Sequence, residues 1–159
     1  DSLYEIISYV EKPQSVLSYA TRAENILQAH PNERILDVMR RMYKNGFSHV
    51  PVVDDGKLTG VFSKSSVFRY LIENGGIGKD ERINAMNESI IITGQRGCRY
   101  VFLPPTATYL DARVKFENMS GRNNRLAAIF ITDTGDENGA LMGMITPWDV
   151  MKDTPASRQ

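Results

Sequence analysis

The chain has 159 residues, of which 42% are hydrophobic and 24% are charged, and Lys plus Arg equal Asp plus Glu at 19 each. This composition is that of an ordinary globular protein that buries a core of its own. The balanced charge argues against nucleic-acid binding, which needs an excess of basic side chains to neutralise phosphates. No apolar run approaches the roughly 18 residues that a membrane span requires.

Catalytic and metal-binding patterns are missing from the sequence. Cys98 is the single cysteine, so no disulfide can form within the chain, and this usage is typical of a reducing, cytoplasmic location. The histidines, His30 and His49, do not have zinc-binding spacing with it. Asp80 follows Lys79 where a phosphate-binding loop needs Ser or Thr. We therefore expect a protein that is not an enzyme and that requires no cofactor or metal.

Residues 1–20 are predicted to form an N-terminal helical arm. Leu3, Ile6 and Val10 recur at helical spacing before Pro13 interrupts the pattern. We expect this arm to belong to neither of the repeats that follow and to serve packing or dimerisation.

Residues 21–76 are predicted to form a first repeat, in the order strand, helix, strand, hairpin turn, strand and helix. Asn32 is a suitable N-cap for the first helix. Residues 49–53 have the β-branched content of a strand, and residues 54–57 form an Asp-Gly turn that leads into the returning strand. Ser63 is predicted to open the second helix of the repeat.

The same order of elements returns in residues 98–155, after a glycine-rich connector at residues 77–97. Thr108 and Asp111 are spaced as a capping box at the start of the first helix of this second repeat. Thr146 is predicted to open its second helix.

The two repeats match at Gly60 and Gly143, which are 143 − 60 = 83 residues apart. One repetition at that distance indicates a duplicated half-domain rather than a solenoid. Each half is too small to cover both faces of its sheet. We therefore expect an α/β fold in which two βαββα units pack face to face as a pseudo-two-fold intramolecular dimer.

A candidate binding motif follows the last predicted strand, at Thr146, Pro147 and Asp149. As a local structure, this is an N-cap hydroxyl, a proline at the first helical position and an acid in the first turn. The same groups suit a nucleotide, because the hydroxyl can contact phosphate or ribose and the carboxylate can accept from a pair of ribose hydroxyls. In the first repeat, Ser63 and Ser66 hold these positions.

The stretch HVPVVDDGKLTGVFSKSS, at residues 49–66, and the stretch GMITPWDVM, at residues 143–151, resemble the CBS domain, which is named after cystathionine β-synthase. The chain is similar to a tandem CBS, or Bateman, module over roughly residues 23–152. The resemblance implies two crevices between the sheets of the two repeats. Many members of the family bind adenosine-containing ligands there and regulate partners without catalysis.

By this resemblance, Thr146 and Asp149 match the hydroxyl and the ribose-binding acid of the family, and Ser63 matches the hydroxyl of the first copy. Ser66 stands where the acid usually is. Hydrogen bonds to an ionised group are roughly twice as strong as neutral ones, so we expect the second crevice to be the primary site.

Further ligand contacts are expected around the strands of each repeat. Arg125, at the start of a hairpin strand, could face a phosphate, with a solvated strand-end charge as the alternative. His49 is expected at the matching place in the first copy, with a packed, hydrogen-bonded histidine as the alternative. Trp148 is expected at the crevice rim or at a dimer interface. The adenine base is expected beside five apolar residues, which are Val101, Phe102, Leu103, Leu126 and Ile145.

The sequence therefore predicts a regulatory sensor that binds AMP, ADP, ATP, S-adenosylmethionine, NAD or cyclic di-AMP. Binding would shift the angle between the repeats, and an effector domain or protein would read that shift. The alternative is a ligand-independent dimerisation or protein-interaction module, which the serine at position 66 favours. In either case we expect a homodimer formed through the helices.

Overall fold

The computed structural model describes residues 14–86, 90, 99–118 and 126–152. The described strands are β1 (Thr21–Arg22), β2 (His49–Asp54), β3 (Lys57–Ser63), β4 (Arg99–Leu103), β5 (Leu126–Thr132) and β6 (Leu141–Ile145). The α-helices are α1 (Ile35–Asn45), α2 (Lys64–Asn74), α3 (Tyr109–Asn118) and α4 (Pro147–Lys152), with 3-10 turns at Val16–Ser18, Ala23–Asn25 and Ile83–Met86. In this part of the chain, no helix has the length and apolar character to cross a membrane.

Strands β2 and β3 form an antiparallel hairpin because the turn between them accepts positive φ angles. Asp55 and Gly56 have φ of 52° and 78°, as a two-residue turn of this kind requires. Val52 pairs with Gly60, and the register shifts by a bulge directly after this pair. Ala29, ahead of α1, bridges to Val52 in parallel and so adds a third strand position to the first sheet.

The other sheet has the strand order β1-β6-β5-β4. Leu103 of β4 pairs in parallel with Ile131 of β5, Ile131 pairs with Gly143 of β6, and the register again shifts directly after this pair. These three residues repeat the pairing seen around Gly60 in the first sheet. The predicted match of Gly60 with Gly143 and the tandem βαββα fold are therefore confirmed.

Three clusters of buried side chains stabilise the fold, one inside each repeat and one between the two sheets. The first lies under α1 and α2 and contains Val50, Val52 and Phe62. The second contains Ile129 and Ile145 together with residues of α3. The third joins β3 to the sheet of the other repeat and consists of Leu58, Val61, Tyr100, Ala128, Phe130 and Leu141. This third cluster is the expected face-to-face contact between the repeats.

Each core is completed by a segment from outside its own repeat. Val16 of the N-terminal segment packs into the second core, and Ile83 of the connector packs into the first. The backbone N–H of Val16 donates to the carbonyl of Ala107 and that of Ile83 to the carbonyl of Glu33, both at 2.9 Å. The described part of the predicted arm is thus built into the second repeat rather than standing apart. Residues 1–13 lie outside the described residues.

Helix α1 begins at Ile35, and the prediction of Asn32 as its N-cap is wrong. Arg34 holds the N-cap position without a side-chain hydrogen bond. The connector pairs with the backbone of Glu33 and Ile35, and this pairing keeps the chain extended up to Arg34. The pairing with the connector is thus a tertiary contact that overrides the local capping preference, and the N–H of Asn32 donates to Nδ1 of His30 at 3.1 Å.

Candidate functional site

The junction of β6 and α4 has Thr146 at the predicted N-cap, and its hydrogen bonds with Asp149 form a reciprocal capping box. The backbone N–H of Thr146 donates to Asp149 Oδ2 at 2.9 Å, and its hydroxyl donates to the same oxygen at 3.1 Å. The N–H of Asp149 donates back to Thr146 Oγ1 at 3.4 Å. Among the described residues, every hydrogen bond to this carboxylate uses Oδ2, so Oδ1 keeps its capacity to accept from a bound molecule.

The Thr146–Asp149 pair lies at the surface end of the strand and not inside a core. Both side chains are half-buried, and Pro147 between them is exposed. Trp148, the only tryptophan in the sequence, is 63% exposed. The predicted binding pair is therefore accessible to a small molecule.

The equivalent pair in the first repeat is closed. Ser63 and Ser66 are 2% and 4% exposed. Ser66 Oγ accepts from the N–H of Ser63 at 2.8 Å and donates to the Ser63 carbonyl at 2.7 Å, while the N–H of Ser66 donates to Ser63 Oγ at 3.1 Å. These serines therefore serve as a buried helix cap in this structure.

His49 lies beside the closed serine pair, because it is the cross-strand partner of Ser63. Its Nδ1 is 2.9 Å from Ser48 Oγ, and its ring meets the Tyr100 ring edge-on at a centroid distance of 6.2 Å. Burial lowers the pKa of His49 below its ordinary value. The imidazole is therefore neutral at neutral pH and offers no positive charge to a phosphate.

The expected correspondence between His49 and Arg125 is wrong in register. His49 lies three residues before Val52, and the counterpart of Val52 in the second repeat is Ile131. Three residues before Ile131 is Ala128, which is the true counterpart of His49. Arg125 itself lies outside the described residues, so its expected contact with phosphate stays a prediction.

The residues nominated for the adenine base fall on two different faces of their sheet. Phe102 is half-buried on the face shared with the other repeat, with its ring centroid 6.0 Å from that of Phe130. Ile145 is 1% exposed. It packs in the helix-facing second core with the other three nominated residues, Val101, Leu103 and Leu126.

Two residues at the inter-repeat face were not found from the sequence. Ile129 pairs with Ile145, so the antiparallel register places Ala128 opposite Thr146. Ile26 packs against the cluster that contains Ala128. Strand alternation counted back from Ile129 would have found Ala128.

In the described ranges of the chain, no group of three or more His, Cys, Asp or Glu side chains is arranged to hold a metal ion.

The first repeat also carries an apolar surface on its outer helices. A groove of about 360 Å³ lies between α1 and α2 and is lined by Met39, Met42, Tyr43, Gly46, Lys64, Val67, Phe68 and Leu71. Tyr43 is 92% exposed and Phe68 is 67% exposed. Large apolar side chains grouped on adjacent helices mark an interaction surface.

Known proteins share both the sequence pattern and the fold. The profile of the CBS domain matches residues 18–73 and 96–154. The uncharacterised protein MJ1225 of Methanocaldococcus jannaschii is 28% identical over 160 residues, which cover 96% of this chain and 51% of that protein. The chain thus spans about half the length of this relative.

Two solved structures with bound ligands have the same architecture. CbpB in complex with c-di-AMP matches with a TM-score of 0.66 and 19% identity over 94% of this chain and 91% of that one. CBSX2 in complex with AMP matches with a TM-score of 0.63 and 16% identity over 92% and 99% of the two chains. At these identities the likeness establishes the fold alone.

The duplicated strand pairing, the paired helix caps and the two profile matches agree with one another. Together they show that the chain belongs to the CBS domain family and carries two CBS repeats in tandem.

Proposed function

We propose that this module is a sensor of an adenosine-containing ligand, which it binds at Thr146 and Asp149 without transforming it. The observation that carries the proposal is the accessible capping box, in which Asp149 Oδ2 binds Thr146 while Oδ1 stays available. A carboxylate held in place by its helix cap is oriented before the ligand arrives, which reduces the entropy that binding costs.

The chemistry of the pair fits a ribose. Two neighbouring ribose hydroxyls are donors that a carboxylate accepts, and the Thr146 hydroxyl adds a small polar contact beside them. Phe102, on the face shared with the other repeat, and the exposed Pro147 are candidates for apolar contact with a base. Support also comes from the structural neighbours, since CbpB was solved with c-di-AMP and CBSX2 with AMP.

Signalling in this proposal uses the contact between the two sheets. Phe130 and Val61 lie in the cluster that joins the repeats, and Ala128 connects this cluster to the position opposite Thr146. A ligand at Thr146 would favour one relative angle of the repeats over another, to the extent that it binds the two arrangements unequally. An effector domain or protein would then respond to that angle.

Calorimetry of the whole chain with AMP, ADP, ATP, S-adenosylmethionine, NAD and cyclic di-AMP tests the proposal. We expect one of these compounds to bind in the micromolar range and to change the fluorescence of Trp148. Asp149→Asn should weaken that binding by about tenfold or more, because a charged acceptor is replaced by a neutral one.

Asp111→Asn is the matched control, since Asp111 forms the same kind of cap with Thr108, accepting from its N–H at 2.9 Å. This variant should weaken its own cap in the same way and keep the affinity for the ligand. The absence of binding by every compound, or an equal loss of affinity in both variants, would contradict the proposal.

A second candidate function is a dimerisation or protein-interaction module that works without a ligand. The apolar groove between α1 and α2, with Tyr43 and Phe68 exposed, favours it. We propose that a second copy of the chain covers this face to form a homodimer. The two functions are compatible, and they are separated by whether a nucleotide changes the stability of the dimer.

A further inference from the structure

We infer that each chain binds one ligand and not two, because His49 and Tyr100 fill the crevice of the first repeat. This inference rests on the proposed function, since it assigns the number of sites to the same sensor. It concerns the crevice at Ser63, which is the counterpart of the one at Thr146.

The residues that line the two crevices can be matched through the strand registers. Ala29 pairs with Val52 as Leu103 pairs with Ile131. Counting three residues back from Ala29 and from Leu103 makes Ile26 the counterpart of Tyr100. In the same way Ala128 is the counterpart of His49.

The matched residues differ strongly in size. The cross-strand partner of Ser63 is His49, whose imidazole meets the Tyr100 ring edge-on, whereas the residue opposite Thr146 is Ala128, which carries only a methyl group. Tyr100 pairs with Ala128 on the next strand of the same sheet, and Ile26 packs against the same cluster. Tyr100 is 8% exposed and packs further against Phe130, at a ring distance of 5.6 Å. The first crevice is therefore occupied by the protein's own rings.

The polar groups of the first crevice are already hydrogen-bonded to each other. The Ser66 hydroxyl donates to the Ser63 carbonyl and accepts from the Ser63 N–H, so a ligand would have to displace buried hydrogen bonds. Opening such a pair leaves buried polar groups unsatisfied, which opposes the binding of a ligand there. By contrast, Asp149 offers its Oδ1 without breaking the cap.

Calorimetric titration of the whole chain with AMP, and separately with ATP and S-adenosylmethionine, measures the number of sites. We expect one site per chain, no measurable second site at high ligand concentration, and loss of at least about tenfold in affinity in Asp149→Asn. Ser66→Ala should keep one site, with affinity changed less than about twofold because its hydroxyl makes no ligand contact.

Two sites in the unaltered chain, or a residual site in Asp149→Asn that Ser63→Ala removes, would overturn the inference while leaving the sensor proposal intact. Absence of binding by these three compounds and also by ADP, NAD and cyclic di-AMP would overturn both the proposed function and the inference.

Chemical modification of His49 tests whether the first crevice is open, independently of the number of sites found by calorimetry. Diethyl pyrocarbonate should modify the exposed His30 and should modify His49 much more slowly, with AMP making no difference to His49. Rapid modification of His49 that AMP suppresses would show an open, ligand-binding first crevice and would overturn the inference.

Discussion

Gly60 and Ile90 approach so closely that no side chain fits between them. A Cβ atom at Gly60 would lie 2.6 Å from the carbonyl oxygen of Ile90. Gly143 meets the other crossing segment in the same way, since its Cβ would lie 3.1 Å from the carbonyl oxygen of Thr21. Neither glycine has a positive φ. The two matched glycines are therefore required by the close passage of the crossing segments and not by backbone conformation.

Gly60→Ala is expected to lower the free energy of unfolding by about 2 kcal/mol, because a backbone carbonyl cannot move aside without shifting the connector. Gly143→Ala should lower the free energy of unfolding by about half as much, since its nearest contact is longer and a shift of a few tenths of an ångström relieves it. Gly76→Ala is the control, because no atom lies within 4 Å of its Cβ. Urea denaturation measures all three, and equal effects at Gly60 and Gly76 would show that the close passage is not formed.

Ile83→Ala is expected to destabilise the first repeat strongly, by about 3 kcal/mol, as other truncations of buried isoleucine do. Ile83 is fully buried although it belongs to the connector. Ile72→Ala, on a side chain that is 71% exposed, should change the free energy of unfolding by less than about 0.5 kcal/mol. Thermal denaturation of the two variants compares them, and similar melting temperatures would mean that the connector does not complete the core.

Acidification is expected to destabilise the fold through His49. Burial lowers the pKa of His49 below 6.5, so the unfolded chain takes up a proton before the folded chain does as the pH falls. The contribution of His49 to the free energy of unfolding is therefore constant above about pH 6.5. It falls as the pH drops from there to the folded-state pKa of His49, and it does not change further at lower pH.

His49→Gln should remove the part of this dependence that sets in below about pH 6.5, whereas His30→Gln should leave that part in place because His49 is unaltered. Melting temperatures of the unaltered chain and of both variants, measured as the pH is lowered through about 6.5, test this prediction. The pKa values of Glu81 and Asp136 are lowered by hydrogen bonds from the hydroxyls of Tyr70 and Thr134, and these carboxylates affect stability only at more acidic pH. An unchanged slope in His49→Gln would assign the dependence to another group.

Phe68→Asp is expected to convert a dimer into a monomer, because it places a charge on the apolar face between α1 and α2. Phe68 is 67% exposed in the single chain, so the substitution should leave the fold intact. Val114 lies on a helix of the second repeat and is 41% exposed. Val114→Asp therefore tests whether the second repeat contributes equally to the dimer interface. Light scattering gives the masses, and a monomer in the unaltered chain would rule out the proposed homodimer.

Local chemistry was enough to predict most of the elements and the Thr146–Asp149 cap from the sequence. The Asp55–Gly56 turn and the serine and threonine caps depend on contacts between residues close in sequence, which leave a pattern that can be recognised. The match of Gly60 with Gly143 could be read from the repeated order of elements, although the reason for a glycine at each position is a contact with a distant segment. The same holds for the assignment of the chain to a duplicated α/β fold, because binary patterning and turn chemistry agreed throughout both copies.

Contacts between distant residues were decided only by the tertiary structure. Asn32 is a good N-cap by composition, but the connector pairs with the neighbouring backbone and moves the helix start to Ile35. The register of β5 against β6 made Ala128 the counterpart of His49, and the sequence did not reveal this because β5 begins two residues before Ala128 whereas β2 begins at His49 itself. Burial separated the closed Ser63–Ser66 pair from the accessible Thr146–Asp149 pair, since two similar caps differ in exposure only through the side chains that the fold packs around them.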